Sequence, residues 1–162
     1  MNSGGALIRT RTRIVPVTLT CFTDGLAAGE IIADTQLVAN AFPDVDCAGI
    51  LQSLTIYDVD DLTAYDFEVF IHRTSTSLGT EGAAISMSDA NVVLAELKVI
   101  TFDATDDVTD LINGKMYQKT NLGIPIRSVV STADLYISAV CLSGTPDHTA
   151  AGLIAVLGIL PD

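Results

Sequence analysis

The chain has 162 residues, of which 49% are hydrophobic and 17% are charged, a composition typical of one globular domain and not of a disordered segment. Twenty acidic and eight basic residues give a net charge of -12, which argues against binding of bare nucleic acid because phosphate contacts require a local excess of Lys and Arg. The longest apolar run, residues 150–160, is shorter than the ~20 residues of a transmembrane helix, and no signal peptide is recognisable, so we expect no membrane partner.

The N-terminal segment differs in charge from the rest of the chain. Arg9, Arg11 and Arg13 alternate with uncharged residues, so residues 1–14 are predicted to form an extended basic arm with the three guanidinium groups on one side. Two interpretations stay open. The arginines protect an exposed edge strand from aggregation, or they are partner-binding residues that pair with acidic groups of a neighbouring subunit. Residues 15–162 are predicted to form a single β-sandwich domain.

Short stretches of alternating hydrophobicity predict β-strands along most of the chain. Turn residues separate the predicted strands, which span 15–21, 31–38, 50–57, 67–72, 122–130, 135–142 and 153–160. Pro16 places the first strand near a sheet edge, and the apolar residues on both faces of 135–142 predict a central strand. Ser88 is the expected N-cap of one short helix. The pattern predicts an all-β fold, a jelly-roll-like β-sandwich of about eight strands with one short helix and the extended N-terminal arm.

Acidic residues cluster in three predicted loops, where carboxylates could bind calcium. The segment that starts at Asp44 begins like a calcium-binding loop, but its fifth and twelfth positions are Ala48 and Thr55, so the match fails. The other two clusters are Asp58, Asp60 and Asp61, and Asp103, Asp106, Asp107 and Asp110. Because Asp favours turns on its own account, these loops are expected to be solvated, and no metal site is predicted. Structural calcium at one of the clusters stays an alternative.

Motifs for catalysis are missing from the sequence. It contains no G-x-S-x-G nucleophile motif, no glycine-rich phosphate loop and no H-x-H pair of the kind that a cupin metal site needs. His72 and His148 are isolated in the sequence, and a zinc site needs more ligands than they supply. The chain is therefore not expected to be an enzyme, and we expect no catalytic residues and no cofactor. Cys21, Cys47 and Cys141 are predicted to be reduced thiols packed as small apolar groups.

Several stretches of the chain resemble a known family of bacteriophage proteins. They are residues 49–61 (GILQSLTIYDVDD), 66–91 (DFEVFIHRTSTSLGTEGAAISMSDAN), 121–127 (NLGIPIR), 135–146 (LYISAVCLSGTP) and 157–160 (LGIL). Together they resemble the head decoration or cement proteins of short-tailed bacteriophages, over most of the chain from about Gly49 onward. The similarity is one of strand and loop pattern and includes no functional signature motif.

The resemblance implies a virion structural protein that binds the exterior of a phage capsid and is made in the host cytoplasm. It implies two partners: the major capsid protein, whose neighbouring subunits it would cement, and further copies of the chain itself in a homodimer or homotrimer. It carries over no catalytic residue. The alternative function is that of a receptor- or carbohydrate-binding β-sandwich domain of a tail or surface protein. That alternative calls for an aromatic-lined patch, for which an aromatic content of 6% without Trp is low.

Overall fold

The computed structural model describes residues 11–60, 63–111 and 114–162 of the chain. In these residues there are nine strands, one α-helix (α1, Asp89–Ala95) and one short 3-10 turn (Ala104–Asp106). The strands are β1 (Arg13–Leu19), β2 (Ile31–Val38), β3 (Ala48–Asp58), β4 (Phe67–His72), β5 (Lys98–Phe102), β6 (Asp107–Leu111), β7 (Gly114–Arg127), β8 (Leu135–Cys141) and β9 (Leu153–Pro161).

The strands form two antiparallel sheets that pack face to face. One sheet has five strands in the order β1-β9-β3-β7-β6, and the other has four in the order β2-β8-β4-β5. Apart from the pairs β4–β5 and β6–β7, successive strands lie in different sheets, so that strands far apart in sequence, such as β3 and β9, become neighbours. The strand order is that of a jelly roll, in which the four strands β1-β9-β3-β7 face the four strands β2-β8-β4-β5. The ninth strand, β6, is added at the edge of the first sheet. The predicted all-β, jelly-roll-like sandwich is confirmed.

The hydrophobic core lies between the two sheets and is built from alternate residues of each strand. Fully buried members from both sheets include Leu19, Leu54, Ile56, Val69, Ile137 and Leu157. Towards one end of the sandwich the core is aromatic: the rings of Phe67 and Phe102 stack with centroids 5.0 Å apart, and Tyr117 meets Phe67 edge-on at 4.9 Å. Each such pair contributes about 1 kcal/mol beyond the burial of its area.

Part of the outer face of the four-stranded sheet is covered by the chain itself. Residues 73–97, which connect β4 to β5, fold over that face and close a second apolar cluster. This cluster consists of Ile31, Phe70, Leu78 and Val140, with Met87 and Leu97 packed against it. The connection contains α1, whose predicted N-cap is confirmed: the Ser88 hydroxyl accepts a hydrogen bond of 3.4 Å from the backbone N–H of Asn91. The cover explains why β4 is buried on both of its faces.

Three regions of strand are not predicted by hydrophobic alternation: β5, β6 and the first half of β7. A strand was expected over 122–130, whereas β7 begins at Gly114 and ends at Arg127. Its first half pairs Lys119 with the buried Leu54 and Lys115 with the buried Asp58, so lysines occupy the inward-facing positions there. At the other end of the chain, β1 begins at Arg13 and so includes the last two residues of the predicted arm, while residues 1–10 lie outside the described part.

The cysteines agree with the prediction of reduced, packed thiols. Cys21 and Cys141 are buried, Cys47 is half-buried, and all three are free. Burial raises the pKa of Cys21 to about 12 and also raises the pKa of Cys141. Among the helices of the described residues, none has both the length and the hydropathy that a bilayer crossing requires.

Candidate functional site

The structure describes two of the three predicted partner-binding arginines. Arg11 is exposed, and Arg13 is the first residue of β1, whereas Arg9 lies outside the described residues. Arg13 has the same inward-facing parity as the buried Val15, and its Nη2 donates a hydrogen bond of 2.9 Å to the carbonyl oxygen of Asn40. Arg13 therefore connects the two sheets, while Arg11 stays available to other molecules. A role in partner binding stays a prediction for all three.

On the outer face of the five-stranded sheet, the outward positions of β1, β9, β3 and β7 carry no charge in four successive rows, and the next outward position of β7 is Arg127, which pairs with Ala48. In rows across the strands, these positions are Thr18, Ile154, Tyr57 and Met116; Pro16, Val156, Thr55 and Gln118; Ile14, Gly158, Ser53 and Thr120; and Leu160, Ile50 and Pro125. We call this surface the uncharged face. Its residues are exposed or half-buried except Thr55 and Gly158, and Ile14 is 64% exposed.

The uncharged face exists because the nearby charges of β7 point the other way. Lys119 and Lys115 lie on the inward side of β7, where they pair with acids of the preceding segment. Lys119 Nζ is 2.6 Å from Asp106 Oδ2, and Lys115 Nζ is 3.6 Å from Asp107 Oδ2. Two acids of the predicted cluster 103–110 are thus in ion pairs at the side of the sandwich. The outward positions between the lysines are left to uncharged residues such as Met116.

A second candidate site lies at one end of the sandwich, where the loop after β3 meets the loop before β9. The two loops meet because Asp58, the last residue of β3, pairs with Leu153, the first residue of β9. Asp58 is fully buried, and the side chain of His148 has no exposed surface. Asp60 Oδ2 lies 3.6 Å from His148 Nδ1, and one ligand atom from each of Asp58, Asp60 and His148 lies within 4.8 Å of the others. We call these three residues the Asp–His cluster.

The hydrogen bonds around the Asp–His cluster hold its side chains in place. The Tyr65 hydroxyl and His148 Nε2 are 2.9 Å apart. Both oxygens of Asp60 accept hydrogen bonds of 2.8 Å from Thr149, one from its backbone N–H and one from its hydroxyl. Burial lowers the pKa of His148, against the opposing effect of Asp60, and burial raises the pKa of Tyr65 well above its ordinary value of 10. Because its pKa is lowered, the imidazole of His148 is neutral at neutral pH, which is the protonation state that metal binding requires of a histidine.

Sequence reasoning identified two of the three residues of this cluster. Asp58 and Asp60 were recognised as an acidic group, and Asp61, the third member, lies outside the described residues. His148 was treated as an isolated histidine, since it is 88 residues further along the chain than Asp60. The signal that unites them is the strand order, because only a fold with β3 beside β9 brings the two loops together. No local spacing carries that information.

An ion cluster that was not predicted ties the connection 73–97 to the end of β7. Glu96 follows α1 in a left-handed conformation with φ of 49° and accepts hydrogen bonds from two arginines. Arg73 Nη1 donates to Glu96 Oε1 at 2.8 Å, and Arg127 makes a forked contact through Nε and Nη2. The Arg127 guanidinium, with help from Arg73, holds the pKa of Glu96 below its ordinary value. We assign this arrangement a structural role, because Glu96 forms ion pairs with both arginines.

Comparison with known proteins adds little to this geometry. No protein family and no curated protein matches the chain. Among solved structures, the chain is similar to one from Desmodium yellow mottle tymovirus, with a TM-score of 0.30 and 9% sequence identity over 93% of this chain and 79% of that chain. A likeness at this level supports no conclusion about function, so the strand order, the uncharged face and the residues themselves have to support the functional proposal.

Proposed function

We propose that this chain is a non-enzymatic structural protein of a virion, which binds the outside of a bacteriophage capsid and cements neighbouring subunits of the major capsid protein. The observation that carries the proposal is the uncharged face of the five-stranded sheet. In a chain with a net charge of -12, the outward positions in the four rows of this face carry no charged side chain. The central parts of protein interfaces are depleted of charged residues in the same way.

The two outer faces of the sandwich support different roles. Part of the face of the four-stranded sheet is covered by residues 73–97 and is therefore used within the chain, although Leu37 and Val99 stay about half exposed. The uncharged face has Ile14, Val156 and Leu160 at outward positions, and no described segment of the chain is packed over it. A surface of this kind fits the major capsid protein, and it also fits a second copy of the chain.

The edge of the same sheet offers a further means of attachment. Within the described residues β1 pairs with β9 on one side only, so its other side presents backbone N–H and C=O groups, interrupted at Pro16. The exposed Arg11 lies directly before this edge, and guanidinium groups pair well with carboxylates of a partner. Each contact can be weak, because an oligomer on a repeating shell engages several sites at once.

The rival function, binding of a receptor or carbohydrate, has less support from the described residues. Sugar-binding surfaces use exposed aromatic rings as platforms. Two of the four tyrosines, Tyr65 and Tyr117, are buried and contact each other edge-on in the core, with ring centroids 6.3 Å apart. They are therefore unavailable as platforms, and the half-buried Tyr57 and Tyr136 lie on different sheets.

The proposal is tested by reconstitution on capsids. Particles stripped of this protein would be compared with the same particles after the purified protein is added back, and the temperature at which they release their DNA would be measured. We expect the protein to bind the shells in a fixed ratio and to raise the release temperature. If the protein binds no shell, or if the shells have the same release temperature with and without it, the proposal is wrong.

A further inference from the structure

We propose that Asp58, Asp60 and His148 form a binding site for one divalent transition-metal ion such as Zn²⁺, which would join the loop after β3 to the loop before β9. The inference concerns the end of the sandwich and not the uncharged face, so it stands independently of the proposed capsid role. It rests on the spacing of the ligand atoms, on an unpartnered buried imidazole nitrogen and on the way in which Asp60 is held.

The spacing of the ligand atoms fits a bound ion better than it fits a direct contact. Asp60 Oδ2 and His148 Nδ1 are 3.6 Å apart, which is too long for a hydrogen bond between them. Two ligands of a tetrahedral Zn²⁺, each ~2.0–2.1 Å from the ion, are ~3.4 Å from each other. Asp58 supplies a third oxygen, and the three ligand atoms lie within 4.8 Å of one another. A small inward movement of the side chains would complete the coordination.

The second and independent observation is the state of His148. Its side chain has no exposed surface, and in the described structure Nδ1 has no hydrogen-bond partner. A buried polar atom without a partner destabilises the fold by ~1–3 kcal/mol, and this one faces a carboxylate. Its other nitrogen, Nε2, is held by the Tyr65 hydroxyl at 2.9 Å. Metal-binding histidines have the same arrangement, with one nitrogen on the metal and the other in a hydrogen bond that fixes the ring.

Asp60 is held in its position before any ion binds. Thr149 donates one hydrogen bond to each oxygen of the carboxylate, and Thr149 is the neighbour of His148 in the chain. The carboxylate packs against Gly152, where a Cβ atom would collide with Asp60 Oδ2. The loop before β9 thus provides His148 as one ligand, while Thr149 and Gly152 of the same loop hold and accommodate Asp60, the second ligand.

The ligand types select the class of ion. Imidazole nitrogen binds Zn²⁺ and its transition-metal neighbours, whereas Ca²⁺ and Mg²⁺ prefer sites built of oxygen alone. Three protein ligands leave a position for water. An ion there would neutralise two carboxylates and would link Asp60 to His148, which are 88 residues apart in the chain. We therefore expect the ion to raise the free energy of unfolding.

The test is titration of the full-length, reduced protein with Zn²⁺ in a calorimeter, together with thermal unfolding with and without the ion. We expect one tight site per chain and a higher unfolding temperature with Zn²⁺. Asp60→Asn and His148→Gln should abolish this site, and Tyr65→Phe should weaken it by about tenfold or more. His72→Gln, which changes a buried histidine of the other sheet, is the matched control and should bind as the wild type does.

Two further measurements keep the inference falsifiable if a ligand variant folds poorly. The circular dichroism of each variant without metal shows whether it is folded. The absorption spectrum of the Co²⁺ complex distinguishes nitrogen and oxygen ligands from a thiolate, either that of Cys21, which lies near Gly152 and Asp60, or that of Cys47. Absence of Zn²⁺ binding by the wild type would overturn the inference. So would equal Zn²⁺ affinity in folded Asp60→Asn, or a cobalt spectrum with a sulfur charge-transfer band.

Discussion

The guanidinium of Arg13 at the start of β1 donates a hydrogen bond of 2.9 Å to the carbonyl oxygen of Asn40, just after β2. Because β1 and β2 belong to different sheets, this bond joins the two layers where the N-terminal arm enters the fold. Asn40 has a left-handed backbone with φ of 52°, and its N–H donates a hydrogen bond of 2.8 Å to Asp134. One arginine of the predicted stripe is therefore part of the fold, and this separates its role from that of Arg11.

Substitution of the two arginines should have different effects. Arg13→Ala is expected to lower the free energy of unfolding by about 1 kcal/mol, because it removes a charge-assisted hydrogen bond between the sheets. Arg11→Ala, at an exposed position without a described partner, is expected to change it by less than about 0.5 kcal/mol. Urea denaturation of both variants checks this. On capsids, weaker attachment of Arg11→Ala would support partner binding, and equal attachment would favour the edge-protecting interpretation of that residue.

Stability should fall as the solution is acidified from neutral pH, because of buried histidine. His72 is fully buried, with Nε2 2.6 Å from the Ser138 hydroxyl. Burial lowers the pKa of His72 from 6.5 to about 4, although Asp34 acts in the opposite direction. The unfolded chain therefore takes up a proton at a pH where the folded chain does not. The contribution of His72 to the free energy of unfolding is fully present above pH 6.5 and is lost as the pH falls towards 4. At ~pH 5 this loss amounts to about 2 kcal/mol.

Urea denaturation at several pH values, on the wild type and on His72→Gln, measures this effect. The variant keeps a side chain that can hydrogen-bond to Ser138 but does not titrate, so the pH dependence between pH 5 and 6.5 should become shallower. It should not vanish, because the pKa of His148 is also lowered by burial. An unchanged slope in the variant would show that His72 titrates normally.

The three thiols should differ in reactivity. Cys21 and Cys141 are buried and their pKa values are raised, so few of their sulfurs are thiolates and reagents cannot reach them. Cys47 is half-buried. A maleimide reagent is expected to modify one thiol per folded chain, and all three in urea, with Cys47 identified by peptide mass spectrometry. Rapid modification of Cys21 in the folded protein would contradict the packing described here.

Much of the fold could be predicted because its strands are amphipathic or apolar. The strands at 135–142 and 153–160 have continuous apolar positions on at least one face, and those at 31–38 and 50–57 are rich in Ile, Leu and Val. The structure contains all four within two residues of the predicted bounds. The first half of β7 lacks this pattern. Its inward positions are Lys115 and Lys119, whose ammonium groups reach acids at the side of the sandwich. Pairing partners, not hydrophobicity, define that strand.

The two candidate sites were harder to predict because they too depend on which strands are neighbours. Each row of the uncharged face takes one residue from each of four strands. The face can therefore be recognised only once the strand register is known, for example the register that places Pro16, Val156, Thr55 and Gln118 in one row. The Asp–His cluster likewise depends on β3 and β9 being neighbours. A jelly roll joins distant segments by crossing between its sheets, so local sequence patterns identify its strands better than its surfaces.

The most direct test of the capsid proposal is a charge placed in the centre of the uncharged face. Val156 is flanked by Pro16 and Thr55 there, whereas Val130 is 67% exposed in the loop after β7. Both substitutions, Val156→Glu and Val130→Glu, add one carboxylate to a half-buried or exposed valine. If unfolding shows both variants to be folded, occupancy on stripped capsids should fall by about tenfold or more for Val156→Glu and stay unchanged for Val130→Glu. Equal occupancy of folded Val156→Glu and wild type would contradict the proposal that this face holds the protein on the shell.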